Sequence, residues 1–183
     1  MSDNINQMHL DLPHDVVLLP SEGKFYKNKK KSIKVGYLTA SDENILLAGG
    51  KDVASNLLRA KIYEPDLRVE DLLEGDIEAI LIFLRNTSFG PEYKISVTDP
   101  QTGKRFSTEI MLDALDFKKT EVQPNEDGTF DVKLPKSNVN VKVKPLSWRE
   151  IQDINKMAEG YPVGRVAPKV TWKLQKQILS ENK

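Results

Sequence analysis

The sequence predicts an α+β fold: a small mixed core of helices with β-hairpins, flanked by an extended N-terminal arm and a C-terminal helical segment. Three observations carry this expectation. Apolar and polar residues alternate through Ile33-Val35-Tyr37, Tyr93-Ile95-Val97 and Phe130-Val132-Leu134, the period of a half-buried strand. Ile77, Ile80, Leu81 and Leu84 fall at i, i+3, i+4 and i+7, the stripe of an amphipathic helix. Ser147 and Glu150 have the spacing of a capping box, with Leu146 and Ile151 placed for a hydrophobic staple. The chain divides into an arm (residues 1–31), an α+β core domain (32–112), a β-hairpin region (113–146) and a C-terminal helical segment (147–183).

Taken in order, residues 1–31 show no useful periodicity and end in Lys27-Asn28-Lys29-Lys30-Lys31, so they read as an arm closing in a solvated loop that needs a partner surface. A strand follows from Ser32. Ser41 stands where an N-cap belongs, Asp42 and Glu43 suit the first turn of a helix, and Gly49-Gly50 closes it. A second helix around Val53, Leu57 and Leu58 stops before Glu64-Pro65. Asp76 can cap the strongest helix, which Leu73 extends backwards if Gly75 is merely a kink. After Gly90-Pro91, Tyr93, Ile95 and Val97 turn through Asp99-Pro100-Gln101-Thr102-Gly103 into a strand over 105–110. Phe130, Val132 and Leu134 are expected to pair with Val139, Val141 and Val143, each hairpin exposing a polar face. The capped helix at Ser147 ends at Gly160, and residues 161–170 form an extended connector. A last helix around Trp172, Leu174, Ile178 and Leu179 is too short to persist alone in water. It must dock on this chain or on another.

Composition narrows the functional classes. Twenty-seven basic residues balance 27 acidic ones, so no global field draws the chain onto nucleic acid or an anionic membrane. The absence of cysteine removes disulfides, thiolate metal sites and a cysteine nucleophile. No apolar run approaches the roughly 20 residues that span a bilayer, and the polar start Met1-Ser2-Asp3-Asn4 lacks the pattern of a signal peptide. A product made in the cytoplasm is expected.

Chemistry-bearing patterns have simpler explanations. His9 and His14, the two histidines, lie near Asp11 and Asp15, but an arm lacks the rigid scaffold and supporting shell a metal needs. Their position also argues against a Ser-His-Asp device. Glu70-Asp71 and Glu74-Asp76 read as carboxylates complementing helix starts rather than as an acid/base pair. Gly49-Gly50-Lys51-Asp52 lacks the leading glycine and Lys-Ser/Thr of a phosphate loop. The lysines from Lys24 to Lys34, interleaved with Phe25 and Tyr26, suit a solvated loop or an acidic protein partner better than a phosphate backbone. Asp99-Pro100-Gln101-Thr102-Gly103 has the shape of a zinc knuckle with Asp99 and Thr102 in place of thiolates, and an ordinary turn explains it without metal. No cofactor is expected.

The stretch Leu19-Pro20-Ser21-Glu22-Gly23-Lys24-Phe25-Tyr26 bends an apolar arm sharply and presents two aromatics. Together with Leu72-Leu73-Glu74-Gly75-Asp76 and Leu84-Arg85-Asn86-Thr87-Ser88-Phe89-Gly90-Pro91-Glu92-Tyr93, in this order and spacing, it resembles the baseplate hub subunit family of T-even-type contractile-tailed bacteriophages. The resemblance spans most of residues 16–112. It implies a structural hub component of the virion baseplate that contacts other hub and tail proteins during assembly, in one or several copies, without catalysis. An assembly chaperone absent from the finished particle is the alternative, and a peptidoglycan hydrolase would need a placed acid. The resemblance also implies relatives with cysteines at the 99–103 turn, a pattern from which this sequence departs. Leu18, Leu19, Pro20, Phe25 and Tyr26 in the arm, and Trp172, Leu174, Ile178 and Leu179 at the C-terminal end, are the candidate partner-binding residues.

Overall fold

The computed structural model describes residues 12–50, 52–116, 122–162 and 164–182, with residues 180–182 described by their backbone alone. His9, Asp11 and the polar start fall outside the described residues. Among the described residues the fold is α+β, with five helices and three small antiparallel sheets. The chain forms two compact units, one of Met1–Val17, Lys34–Tyr63 and Glu78–Lys119, the other of Leu18–Ile33, Glu64–Ile77 and Thr120–Lys183.

The first strand, β1 (His14–Leu18), lies in the segment expected to be an extended arm without strand periodicity. It pairs with β2 (Ser32–Gly36) in a two-stranded sheet. Val16, Val17, Leu18 and Leu19 are all apolar, so no alternation betrays the strand, although Val17 points inward and its neighbours outward.

In the first unit, α1 (Ala40–Ala48) starts two residues earlier than expected, because Thr39 rather than Ser41 is its N-cap. The Asp42 carboxylate reaches back to the Thr39 amide at 2.6 Å and accepts the Thr39 hydroxyl at 2.8 Å, which secures the first turn. Gly49 ends the helix with its amide on the Leu46 carbonyl. The next helix, α2 (Val53–Lys61), buries Leu57 and Leu58. Its Lys61 forms a buried ion pair with Asp42. Val35 bridges Ile62, and Tyr63 donates to the Lys34 carbonyl at 2.9 Å. A Cβ on Gly36 would lie 2.1 Å from the Tyr63 hydroxyl oxygen, so glycine is required where that ring crosses the strand. The long helix α3 (Glu74–Phe89) buries Ile80 and Leu84 from this unit. It leads into the ribbon of β3 (Glu92–Thr98) and β4 (Arg105–Met111), where Tyr93 faces Ile110, Ile95 faces Thr108 and Val97 faces Phe106.

In the second unit a 3-10 turn, Val69–Asp71, buries Val69. Leu73 precedes α3 and accepts the Ile77 amide at 3.0 Å. The sheet order is β5 (Phe130–Lys133), β6 (Asn140–Val143), β7 (Ile178–Asn182). Phe130 pairs with Val143 and Val132 with Val141, and the Leu134 amide reaches the Val139 carbonyl. This is the register expected from alternation. Helix α4 (Trp148–Glu159) carries the full capping box, with the Glu150 carboxylate on the Ser147 amide at 3.0 Å. Leu146, Ile151 and Ile154 form a buried cluster against which Trp148 and Trp172 pack. The last helix, α5 (Lys169–Gln177), ends before Ile178 and Leu179. Those two residues lie in β7 instead, because pairing with β6 satisfies the backbone that a longer helix would have left open.

Candidate partner-binding surfaces

The arm bend is built around a buried carboxylate. Ser21 donates its amide to Asp76 Oδ1 at 2.9 Å, Tyr26 donates its phenol to Asp76 Oδ2, and the Leu73 amide donates to the Tyr26 hydroxyl at 3.0 Å. Burial and the neighbouring Asp76 charge push the Tyr26 phenol far up, so it stays a neutral donor. Asp76 is therefore no helix cap. It sits in the first turn of α3 and holds the bend. Gly23 takes φ +71°, and a Cβ there would stand 2.4 Å from the Lys30 carbonyl oxygen, so the turn demands glycine.

Of the arm residues singled out from sequence, Leu19 is 2% exposed and Tyr26 is also buried, whereas Leu18 is 71% exposed. Pro20 and Phe25 are half-buried, with the Phe25 ring 5.8 Å from that of Phe130. Period-two geometry explains the split, since consecutive strand residues face opposite sides. Val16 is exposed on the same side as Leu18. The lysine cluster is partly neutralised by this unit's own acids: Lys30 binds Glu64 and Asp66, and Lys24 meets Glu22 at 2.6 Å.

At the C-terminal end α5 has two working faces. Trp172 turns inward against the cluster of Leu146, Ile151 and Ile154, with the Tyr161 ring edge-on at 5.8 Å. Lys173 binds the Glu74 carboxylate at 2.7 and 3.1 Å, and Lys169 donates to the Asn155 side-chain oxygen at 3.1 Å. Leu174, Ile178 and Leu179 are exposed. So are Val166 and Val170, which sequence reading passed over although they precede Leu174 at steps of four.

A third surface is the β3–β4 ribbon. Almost every residue of both strands is exposed, against the expectation of one covered face. Cross-strand register gathers Tyr93, Ile95, Val97, Phe106 and Ile110 on one side. Arg85 fixes the root of this ribbon. Its guanidinium donates to the Gly90 carbonyl, and to that of Glu92 at 2.8 Å, while lying 5.9 Å from the Phe89 ring centroid and 5.4 Å from that of Tyr93. At the tip, the Asp99 carboxylate takes the Gln101 amide at 2.8 Å and the Thr102 hydroxyl at 2.5 Å. The Thr102 hydroxyl and then the Gln101 amide hold the Asp99 carboxyl below the usual carboxylate range. A hydrogen bond thus joins the two side chains that stand where a knuckle carries thiolates.

The remaining acid and histidine candidates have structural partners. Asp71 lies 3.4 Å from Arg149, and His14 Nδ1 is 2.9 Å from the Leu12 carbonyl oxygen. No group of three or more His, Asp or Glu side chains among the described residues is arranged to hold a metal ion. No helix among them is long and apolar enough to cross a membrane.

Neither the curated proteins nor the solved structures yield a match to this chain. A family model described as T4 bacteriophage base plate protein matches residues 14–167, a span running from β1 to the connector before α5 and including the arm bend, the Arg85 root and the capped helix α4. The chain belongs to the T4 bacteriophage base plate protein family.

Proposed function

We propose that this protein is a structural component of the central hub of a contractile phage tail's baseplate, retained in the virion and working through protein contacts without catalysis. The family match over residues 14–167 carries the reading, since a baseplate component acts among other tail proteins. The exposed apolar residues support it. Leu18 beside Val16, Leu174 with Ile178 and Leu179, and the apolar side of the β3–β4 ribbon leave more unpartnered hydrophobic surface than scattered surface leucines would. Pro20 and Phe25, both half-buried, are further candidate contacts of the arm. Leu19, Tyr26 and Trp172 contribute by holding the bend and α5 in place rather than by direct contact.

The test is mass spectrometry of purified virions, with stoichiometry measured against a tail protein of known copy number. Detection at fixed stoichiometry is expected, and it gives the copy number. Absence from virions, together with presence in tail precursors, would replace this reading with that of an assembly chaperone. Release of muropeptides from cell wall by the purified protein would overturn the non-catalytic part.

A further inference from the structure

Exposed apolar residues recur on the outer face of α5 and in the connector before it, with basic residues among them. Val166 is 93% exposed, Val170 72% and Leu174 51%. They recur every four residues, so the two inside the helix stack one turn apart on one face. The helix cannot roll to bury them. Trp172 is packed inward, and Lys169 and Lys173 are bound along one flank to Asn155 and Glu74.

Residues 164–177 contain Arg165, Lys169, Lys173 and Lys176 and no acid. Glu74 neutralises Lys173, and Asp153 lies 3.7 Å from Lys176. Lys169 bonds to a neutral amide oxygen, and the Arg165 backbone amide donates to the Pro162 carbonyl. A positive surplus therefore flanks an apolar row on a chain whose formal net charge is zero.

We propose that this face docks an acidic amphipathic segment of another protein, whose apolar residues cover Val166, Val170 and Leu174 and whose carboxylates meet Arg165 and Lys169. The occupant follows from charge complementarity, which sets partner choice and register where an apolar centre supplies the burial. A nucleic acid fits poorly, because a single strand stacks on exposed aromatics, whereas the aromatic of this helix, Trp172, is turned inward. An anionic bilayer fits poorly too, because a helix lying in the interface needs its apolar face long and its polar face free, while α5 is nine residues long and tied down along one flank. The inference rests on the baseplate reading for the class of partner, and it deepens that reading by stating the partner's chemistry.

The experiment places the photo-crosslinking amino acid benzoylphenylalanine at position 174 of the full chain, produced in infected cells from phage carrying the variant. The segment captured on irradiation is then sequenced by mass spectrometry. A protein segment with apolar residues at steps of three and four and net negative charge is expected. The double variant Arg165→Glu with Lys169→Glu should cut the crosslink yield about tenfold, the scale of replacing attractive pairs by repulsive ones, and Arg165→Lys with Lys169→Arg should preserve it. An unchanged melting temperature in both shows that the chain is still folded. Capture of lipid, of nucleic acid, of a second copy or of a basic segment overturns the proposal. So does an absent crosslink, or a yield indifferent to charge reversal. If the chain is in virions and no acidic segment is captured, this inference fails and the baseplate reading stands. If an acidic segment is captured and the chain is missing from virions, the hub-component reading fails alone.

Discussion

Two buried carboxylates show how much of this molecule depends on single polar atoms. Removing the Tyr26 hydroxyl leaves Asp76 Oδ2 and the Leu73 amide without the partner that now joins them. Unsatisfied buried groups cost about 1–3 kcal/mol, so Tyr26→Phe should lower unfolding free energy by about that amount. Urea titration followed by tryptophan fluorescence checks this, and an unchanged midpoint would contradict the anchoring role. Asp42 offers a different readout. Burial works to raise its carboxyl, but the Lys61 ammonium and the Thr39 bonds outweigh that and hold it below the ordinary range. A folded-state pKa below the unfolded one means that the unfolded chain binds protons first as pH falls. The stabilisation is complete above the ordinary carboxylate value of about 4 and is lost as pH drops through the lower folded value. Melting temperature should therefore decline below about pH 4, with a shallower slope in Asp42→Asn. The first-turn place of Asp42 was legible beforehand, but its pairing with Lys61 and the role of Asp76 were not. Asp76 has the position of a cap and Asp42 that of a first-turn acid, and both identities come from residues 50 and 19 positions away in the chain.

At the scale of elements, what could be read in advance is what local chemistry decides. Ser147 and Glu150 cap α4 as their spacing requires, and the Phe130–Val143 hairpin has the register its alternation dictates. Two elements escaped for physical reasons. β1 runs from His14 and Asp15 into the unbroken apolar stretch Val16-Val17-Leu18, so no alternation marks it and only pairing with β2 reveals it. β7 begins at Ile178, where helical spacing from Leu174 continues on paper but the open edge of β6 takes the chain. The ribbon of β3 and β4 was legible as a hairpin and illegible as a bare one, since alternation predicts a covered face and cannot say what covers it. An isolated two-stranded ribbon is marginal in water, which gives Arg85 its importance. Hydrogen bonds from a charged donor are worth about 1.5–3 kcal/mol, here concentrated on the Gly90 and Glu92 carbonyls. Arg85→Ala should leave the global melting temperature nearly unchanged while the ladder amides of β3 and β4 exchange with deuterium about tenfold faster or more. Protection equal to the parent's would mean that the ribbon holds itself.

For the whole molecule the open question at the sequence level was whether the C-terminal segment serves this chain or another, and α5 answers by doing the first with one face while leaving the second face bare. Trp172 seals the cluster of Leu146, Ile151 and Ile154, and β7 completes the three-stranded sheet. Deleting residues 165–183 would therefore uncover buried apolar surface and strip β6 of a neighbour, and a pronounced fall in melting temperature is expected. The deletion cannot report on partner contact, because it damages the fold first. Leu174→Glu separates the two roles. The side chain is half in solvent and outside the buried cluster, and surface substitutions of that kind usually change stability by no more than about 0.5 kcal/mol. Incorporation into tail structures should fall, since a carboxylate in the middle of an apolar contact must be desolvated without a partner. A Leu174→Glu chain that melts like the parent and still assembles normally would show that α5 is structural on both faces. One that melts like the deletion would show that Leu174 belongs to the chain's own core.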